Sequence, residues 1–241
     1  MTGKTFLSLV NKCLALTIIF FMHSCSPIRA QNKSMEPVAV LTKYEVIKKQ
    51  EDEFKKEIAK YLKDAMDDKE NIMAEAYYEE QNSSIVWIIE RWRNRYVFDS
   101  AVKKLSVDNS GLTIKRIFIK DLEPISKVDW QRIHANVDKP ITIMLFVDCK
   151  SGTENYFKNV YHIAMPQFRS EAGVINYQLS QLIDDSTQFV TYEKFRNEDA
   201  FQYHLQFPPI QPVIDYLNTN IKKQPFQTGL HRLIQFSPPI Q

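Results

Sequence analysis

Glycine is scarce in this chain, with 5 in 241 residues, and no two lie close together. A loop that cradles phosphate needs clustered glycines so that its backbone can approach the anion. Nucleotide binding by such a loop is therefore excluded, and no G-x-S-x-G, H-E-x-x-H or C-x-x-C occurs either. Cysteine is almost absent as well. Cys13 and Cys25 fall in the first thirty residues, which leaves Cys149 with no internal partner for a disulfide. Cys149 ends an apolar run and is expected to pack. No block of one charge sign appears, and the net charge is only +2. Nucleic-acid binding, which needs a clustered basic stripe, is not expected.

The one long apolar run is at the start. Lys4 and Lys12 precede "CLALTIIFFM", which is short with a basic flank, as in an export signal. Residues 1–30 are read as that leader, and the protein as exported to a bacterial envelope, either periplasmic or membrane-anchored. Two processing sites compete. "MHSC" would leave Cys25 lipidated, the one expected link to a membrane. Cleavage after Ala30 would start the mature chain at Gln31.

Beyond the leader the chain repeats itself. "IERWRNRYVF" (89–98) and "YEKFRNEDAF" (192–201) share Glu, Arg, Asn and Phe at one offset of 103. The same offset pairs Phe54 with Phe157, Ile72 with Ile175 and Ser83 with Ser186. Each copy reads β-α-β-β-α-β. In the first, Val38–Ile47 alternates as a strand, and Phe54, Ile58, Tyr61, Leu62 and Ala65 recur at helical spacing. In the second, Phe157, Val160, Tyr161, Ala164, Met165 and Phe168 form the same stripe. The final strands are aligned by pairing Arg116 with Arg232, which leaves "PPIQPVIDYLNTN" as an extra segment with a short helix. The expected organisation is one unit over 36–122, a linker over 123–139, and a second unit over 140–238.

The expected fold class is α+β: two tandem ferredoxin-like units. Their strands are apolar on both faces, as in a sheet covered on both sides. The two sheets are therefore expected to pack face to face as an internal pseudo-dimer. The chain is expected to be a monomer of that kind, or a dimer of such monomers. Trp87 and Trp92 have opposite parity and should face opposite sides of their strand, while Trp130 in the linker should plug the seam. Asn94 and Asn197 stand where helix N-caps belong. Glu90 and Glu193 are expected to pair with Arg93 and Arg196. Arg169 and Glu171 read as a solvated helix end.

The second copy resembles the antibiotic biosynthesis monooxygenase (ABM) family. The resemblance rests on Arg169-Ser170-Glu171-x-Gly173, Tyr177, Glu193-x-Phe195 and His204. The first copy follows by internal repeat, with Glu70 at the Gly173 position and Ala101 at the His204 position. The resemblance implies a dimeric α/β barrel, here fused in one chain. It also implies oxygenation of a small aromatic phenol or quinol by O2, with no cofactor and no metal. His204, Tyr177 and Glu193 are the catalytic candidates, which puts the expected working pocket in the second copy. The family's strand-three and helix pocket positions fall on Thr191, Phe195 and Phe201 in copy two, and on Ile88, Trp92 and Phe98 in copy one. Trp92 alone keeps the family's residue. The bland reading of His204 is a packed histidine, and that of Tyr177, beside Tyr192, is a core tyrosine with a satisfied hydroxyl. The rival functions are a non-catalytic binder of a small apolar ligand and a haem-binding protein using His204.

Overall fold

The computed structural model of the chain describes residues 35–105, 112–130, 139–224 and 229–238. The leader and its processing sites lie outside them. The first unit runs β1 (Val38–Glu45), α1 (Glu51–Asp67), β2 (Asn71–Glu79), β3 (Asn82–Trp92), α2 (Arg95–Val102) and β4 (Thr113–Leu122). A short helix, α3 (Lys127–Trp130), follows in the linker. The second unit runs β5 (Ile141–Asp148), α4 (Glu154–Ser170), β6 (Val174–Leu182), β7 (Gln188–Phe195) and α5 (Glu198–Gln206). It then adds α6 (Gln211–Thr219) before β8 (Leu230–Ser237). Pro208, Pro209 and Pro212 sit in and just after the 3-10 turn that opens α6, where their missing N–H costs nothing.

The two sheets do face each other, and their edges also pair. β4 joins β6, and β8 joins β2, which closes one eight-stranded antiparallel barrel in the order β1-β3-β2-β8-β5-β7-β6-β4. Closure removes every open sheet edge. The ladders correct one sequence alignment. β1 sets Phe118 against Val40, and β5 sets Arg232 against Ile143, so Phe118 and not Arg116 is the counterpart of Arg232.

Three apolar cores follow from strand parity. One lies between α1, α2 and the first sheet, centred on Phe54, Leu62, Ile88 and Trp92. A second lies between α4, α5, α6 and the second sheet, around Phe157, Phe168, Tyr177 and Phe195. The third fills the barrel, with Leu41, Tyr77, Trp87, Ile89, Met144 and Tyr192. Trp87 points into the barrel and Trp92 to the helix side, as their parity requires. Trp130 is buried at the barrel end, 5.5 Å from the Tyr192 ring and 4.3 Å below the Arg91 guanidinium. Cys149 is buried and free. Among the described residues no helix is long and apolar enough to cross a membrane.

The doubled motif builds the same corner twice. Asn94 accepts from the amides of Tyr96 and Val97, and Asn197 from that of Ala200, which caps α2 and α5. Arg93 donates to the carbonyl of Lys69, and Arg196 to that of Ala172, at equivalent places in the turn before strand two. The arginines therefore tie strand three to that turn. They do not carry the two glutamates, as the sequence reading expected. At this corner a Cβ on Gly173 would lie 2.4 Å from the Cβ of Ala200. Gly173→Ala is expected to cost about 1–3 kcal/mol by forcing α5 outward, measured as a lower urea midpoint. A neutral result would mean that α5 shifts freely.

Candidate functional site

β3 and β7 carry the two glutamates to the middle of the helix-facing layers. Glu90 is 2 % exposed and Glu193 6 %. Strand alternation puts them there: Ile88 and Trp92 flank Glu90 on one face, and Thr191 and Phe195 flank Glu193. Each carboxylate finds a tyrosine. Tyr61 on α1 donates to Glu90 at 2.8 Å, and Tyr177 on β6 donates to Glu193 at 3.0 Å. The Trp92 indole also donates to Glu90, at 3.1 Å, and the Thr191 hydroxyl to Glu193, at 2.7 Å. Burial pushes both carboxyls up to about 7, although their donors pull the other way. A carboxyl so held takes or gives a proton near neutrality.

His204 is 1 % exposed and its Nδ1 lies 2.8 Å from Glu171. Burial pushes the histidine down to about 4; burial and then the charge of Glu193 push Glu171 up to about 7. Both shifts favour a neutral pair. The rings of Phe168, Phe195 and Tyr177 enclose the imidazole at 4.8–5.4 Å between centroids. They leave haem no open face to approach. Glu171 is therefore buried beside this histidine, and Arg169 donates to the carbonyls of Tyr177 and Glu123. Neither belongs to a solvated helix end. His162 is exposed, as its place off the stripe requires.

The structure groups His204, Tyr177, Glu193, Thr191, Phe195 and Phe201 around one core of the second half. Trp92 and Phe98 gather in the first half, 6.4 Å apart. Tyr192, read beside Tyr177, faces the other way, into the barrel. There its hydroxyl and that of Tyr77 donate to Glu75, and Lys194 reaches Glu75 at 3.0 Å. At the same end Arg91 holds Asp121 through two bonds, at 2.6 and 3.0 Å. This buried polar network was missed in the sequence, where the strands read as apolar on both faces and no pattern marks the polar residues that meet inside. Among the described residues no group of three His, Cys, Asp or Glu could hold a metal.

One pocket opens onto this layer in the first half. It has a cavity of about 100 Å³ between α1 and α2, lined by Tyr61, Ala65, Trp92, Ala101 and Leu105, with charged residues at its rim.

Residues 140–214 match the family model described as "Antibiotic biosynthesis monooxygenase". Among solved structures, a "putative monooxygenase" from Lactobacillus acidophilus NCFM is 15% identical, with a TM-score of 0.66 over 83% of this chain and 94% of that one. Another of that description, from Fusobacterium nucleatum, is 16% identical, with a TM-score of 0.65 over 83% of this chain and 92% of that one. An "anthrone oxidase-like protein" is 9% identical, with a TM-score of 0.55 over 83% and 92%. At such identities these likenesses bear on the fold. A sequence search of curated proteins returned no match.

Proposed function

We infer, from a chain whose residues 140–214 belong to the ABM family and whose first half repeats that fold, that the protein oxygenates a small aromatic phenol or quinol with O2 alone. The observation that carries this reading is a carboxylate–tyrosine pair in each half: the glutamates are repeat partners, the tyrosines come from different elements, and the pair that a substrate reaches serves as the base. Glu90 with Tyr61, and Glu193 with Tyr177, place a proton acceptor near neutrality inside an apolar layer. A general base works best when its pKa is near the working pH. The apolar walls keep water away from the radical stage.

The chemistry balances without another reductant. The substrate hydroxyl gives its proton through tyrosine to the glutamate. The phenolate passes one electron to O2, and the substrate radical and superoxide join as a C–O bond. The O–O bond then breaks and the ring C–H proton leaves, giving a quinone carbonyl and water. The substrate supplies all four electrons. With 18O2, one labelled atom is expected in the product and the other in water. Label absent from the product of turnover would reduce the activity to simple oxidation. No oxygen uptake with any phenol or quinol would favour a binding protein of the same fold.

The proposal includes export, on the strength of the leader. Mass spectrometry of the protein from a membrane fraction is expected to show a lipidated Cys25. A chain starting at Gln31 in the soluble fraction would replace that expectation.

A further inference from the structure

The chain contains its own control, because each helix-facing layer occurs twice. α1 spans Glu51–Asp67 and α4 Glu154–Ser170, at the same offset as Asn94 and Asn197 before α2 and α5. Position by position, Phe168 stands where the first half has Ala65, and His204 where it has Ala101. Those two alanines line the open pocket. Their counterparts are buried against each other, with ring centroids 4.8 Å apart. Glu171, at the place of Asp68 on the pocket rim, is drawn inward to hold the imidazole. Gly173 lets Ala200 of α5 sit where a Cβ would meet it at 2.4 Å, and the first half has Glu70 and Val97 at these two positions.

We propose that the first-half pocket is the ligand site of this doubled layer, sized for a single-ring phenol, and that Phe168 and His204 are the side chains that close its counterpart. The pocket lies outside the segment that matches the ABM family. Its volume, about 100 Å³, sets the ligand class. That is less than the roughly 150 Å³ of a closed apolar cavity that takes benzene, so at most one ring enters, with its far edge in the open mouth, and a fused pair does not fit. Inside, the Tyr61 oxygen can accept from the phenol while its own proton goes to Glu90. The choice of a phenol rests on the function proposed above; the location of the site does not.

The test is a 19F NMR titration of 4-fluorophenol under nitrogen, with circular dichroism as the check on folding. The wild type is expected to bind one molecule per chain. Ala101→His, which copies the second half, is expected to weaken binding at least tenfold. Phe168→Ala with His204→Ala is expected to give two sites, and Phe168→Ala alone serves if the pair does not fold. Binding unchanged in Ala101→His, or a folded second-half variant that still binds one molecule, would overturn the proposal. Binding at one site without oxygen uptake would remove the oxygenase and keep this site. Uptake with no binding in the first half would do the reverse.

Discussion

Lys194→Met is expected to destabilise the protein by about 3–5 kcal/mol, the cost of removing one member of a buried ion pair. Lys194 comes from β7 of the second half and Glu75 from β2 of the first. Their side chains are 2 % and 11 % exposed. Burial alone would push the Glu75 carboxyl up, but the lysine charge and the two tyrosine hydroxyls outweigh it and hold the carboxyl below its usual range. Without Lys194 the carboxyl is either charged with no cation or driven by burial to take up a proton, and both cost stability. Gln235, which accepts from Lys194 at 2.6 Å, loses a donor too. Urea unfolding should show a lower midpoint with an unchanged slope. Glu75→Leu with Lys194→Met should cost less than the single lysine change, because no charge is left stranded. A loss under about 1 kcal/mol for Lys194→Met would mean that water reaches the pair.

The second large effect is a fall in stability as pH rises from 5 to 8. Glu90 and Glu193 are raised from 4.5 to about 7, chiefly by burial. The folded protein therefore binds their protons more tightly than the unfolded chain does. Their contribution is full below about 4.5 and lost as pH rises through 7, on the order of 3 kcal/mol for each carboxyl. Glu171 moves in the same direction. His204, lowered to about 4, moves in the opposite one, since its neutral form is favoured and stability is lost as pH falls through that value. These two largely offset each other, leaving Glu90 and Glu193 to set the slope. Glu75 acts at the acid end: its depressed carboxyl stabilises above the usual range and loses that effect as pH falls. Glu193→Gln should flatten the profile between pH 5 and 8. A wild-type stability that rises over that interval, or a Glu193→Gln profile as steep as the wild type, would contradict the burial of these carboxyls as charged groups.

The repeat was legible because one offset of 103 survives from Glu51 to Phe98 without a gap, and helical and strand periods differ enough to read. The N-caps, the helix stripes and the opposed faces of Trp87 and Trp92 followed from the same patterns. Edge pairing of β4 with β6 and of β8 with β2 did not, because an edge strand carries no mark of its partner. The interior pair of Glu75 and Lys194 hid for a related reason. The strands read as apolar on both faces, and nothing in that pattern shows which polar residues meet across the closed barrel. Of the site, the sequence showed Glu90 and Glu193 as repeated residues but not as buried ones. Tyr61 was read only as part of a helix stripe, though its hydroxyl reaches Glu90 across the layer. The sequence set Ala101 at the His204 position and Ala65 at that of Phe168, but did not show that the two alanines leave a pocket where the larger side chains close one.

The measurement that tests the central claim most directly is oxygen uptake with hydroquinone at neutral pH, comparing Glu90→Gln with Glu193→Gln. Both substitutions keep the volume and lose the ionisable group. A general base contributes about 10²–10⁴-fold, so Glu90→Gln should lose at least a hundredfold. Glu193→Gln, beneath the closed half, should stay within a few fold of the wild type. The reverse order, with Glu193→Gln inactive and Glu90→Gln intact, would place the chemistry in the second half and contradict the assignment of the open pocket as the site.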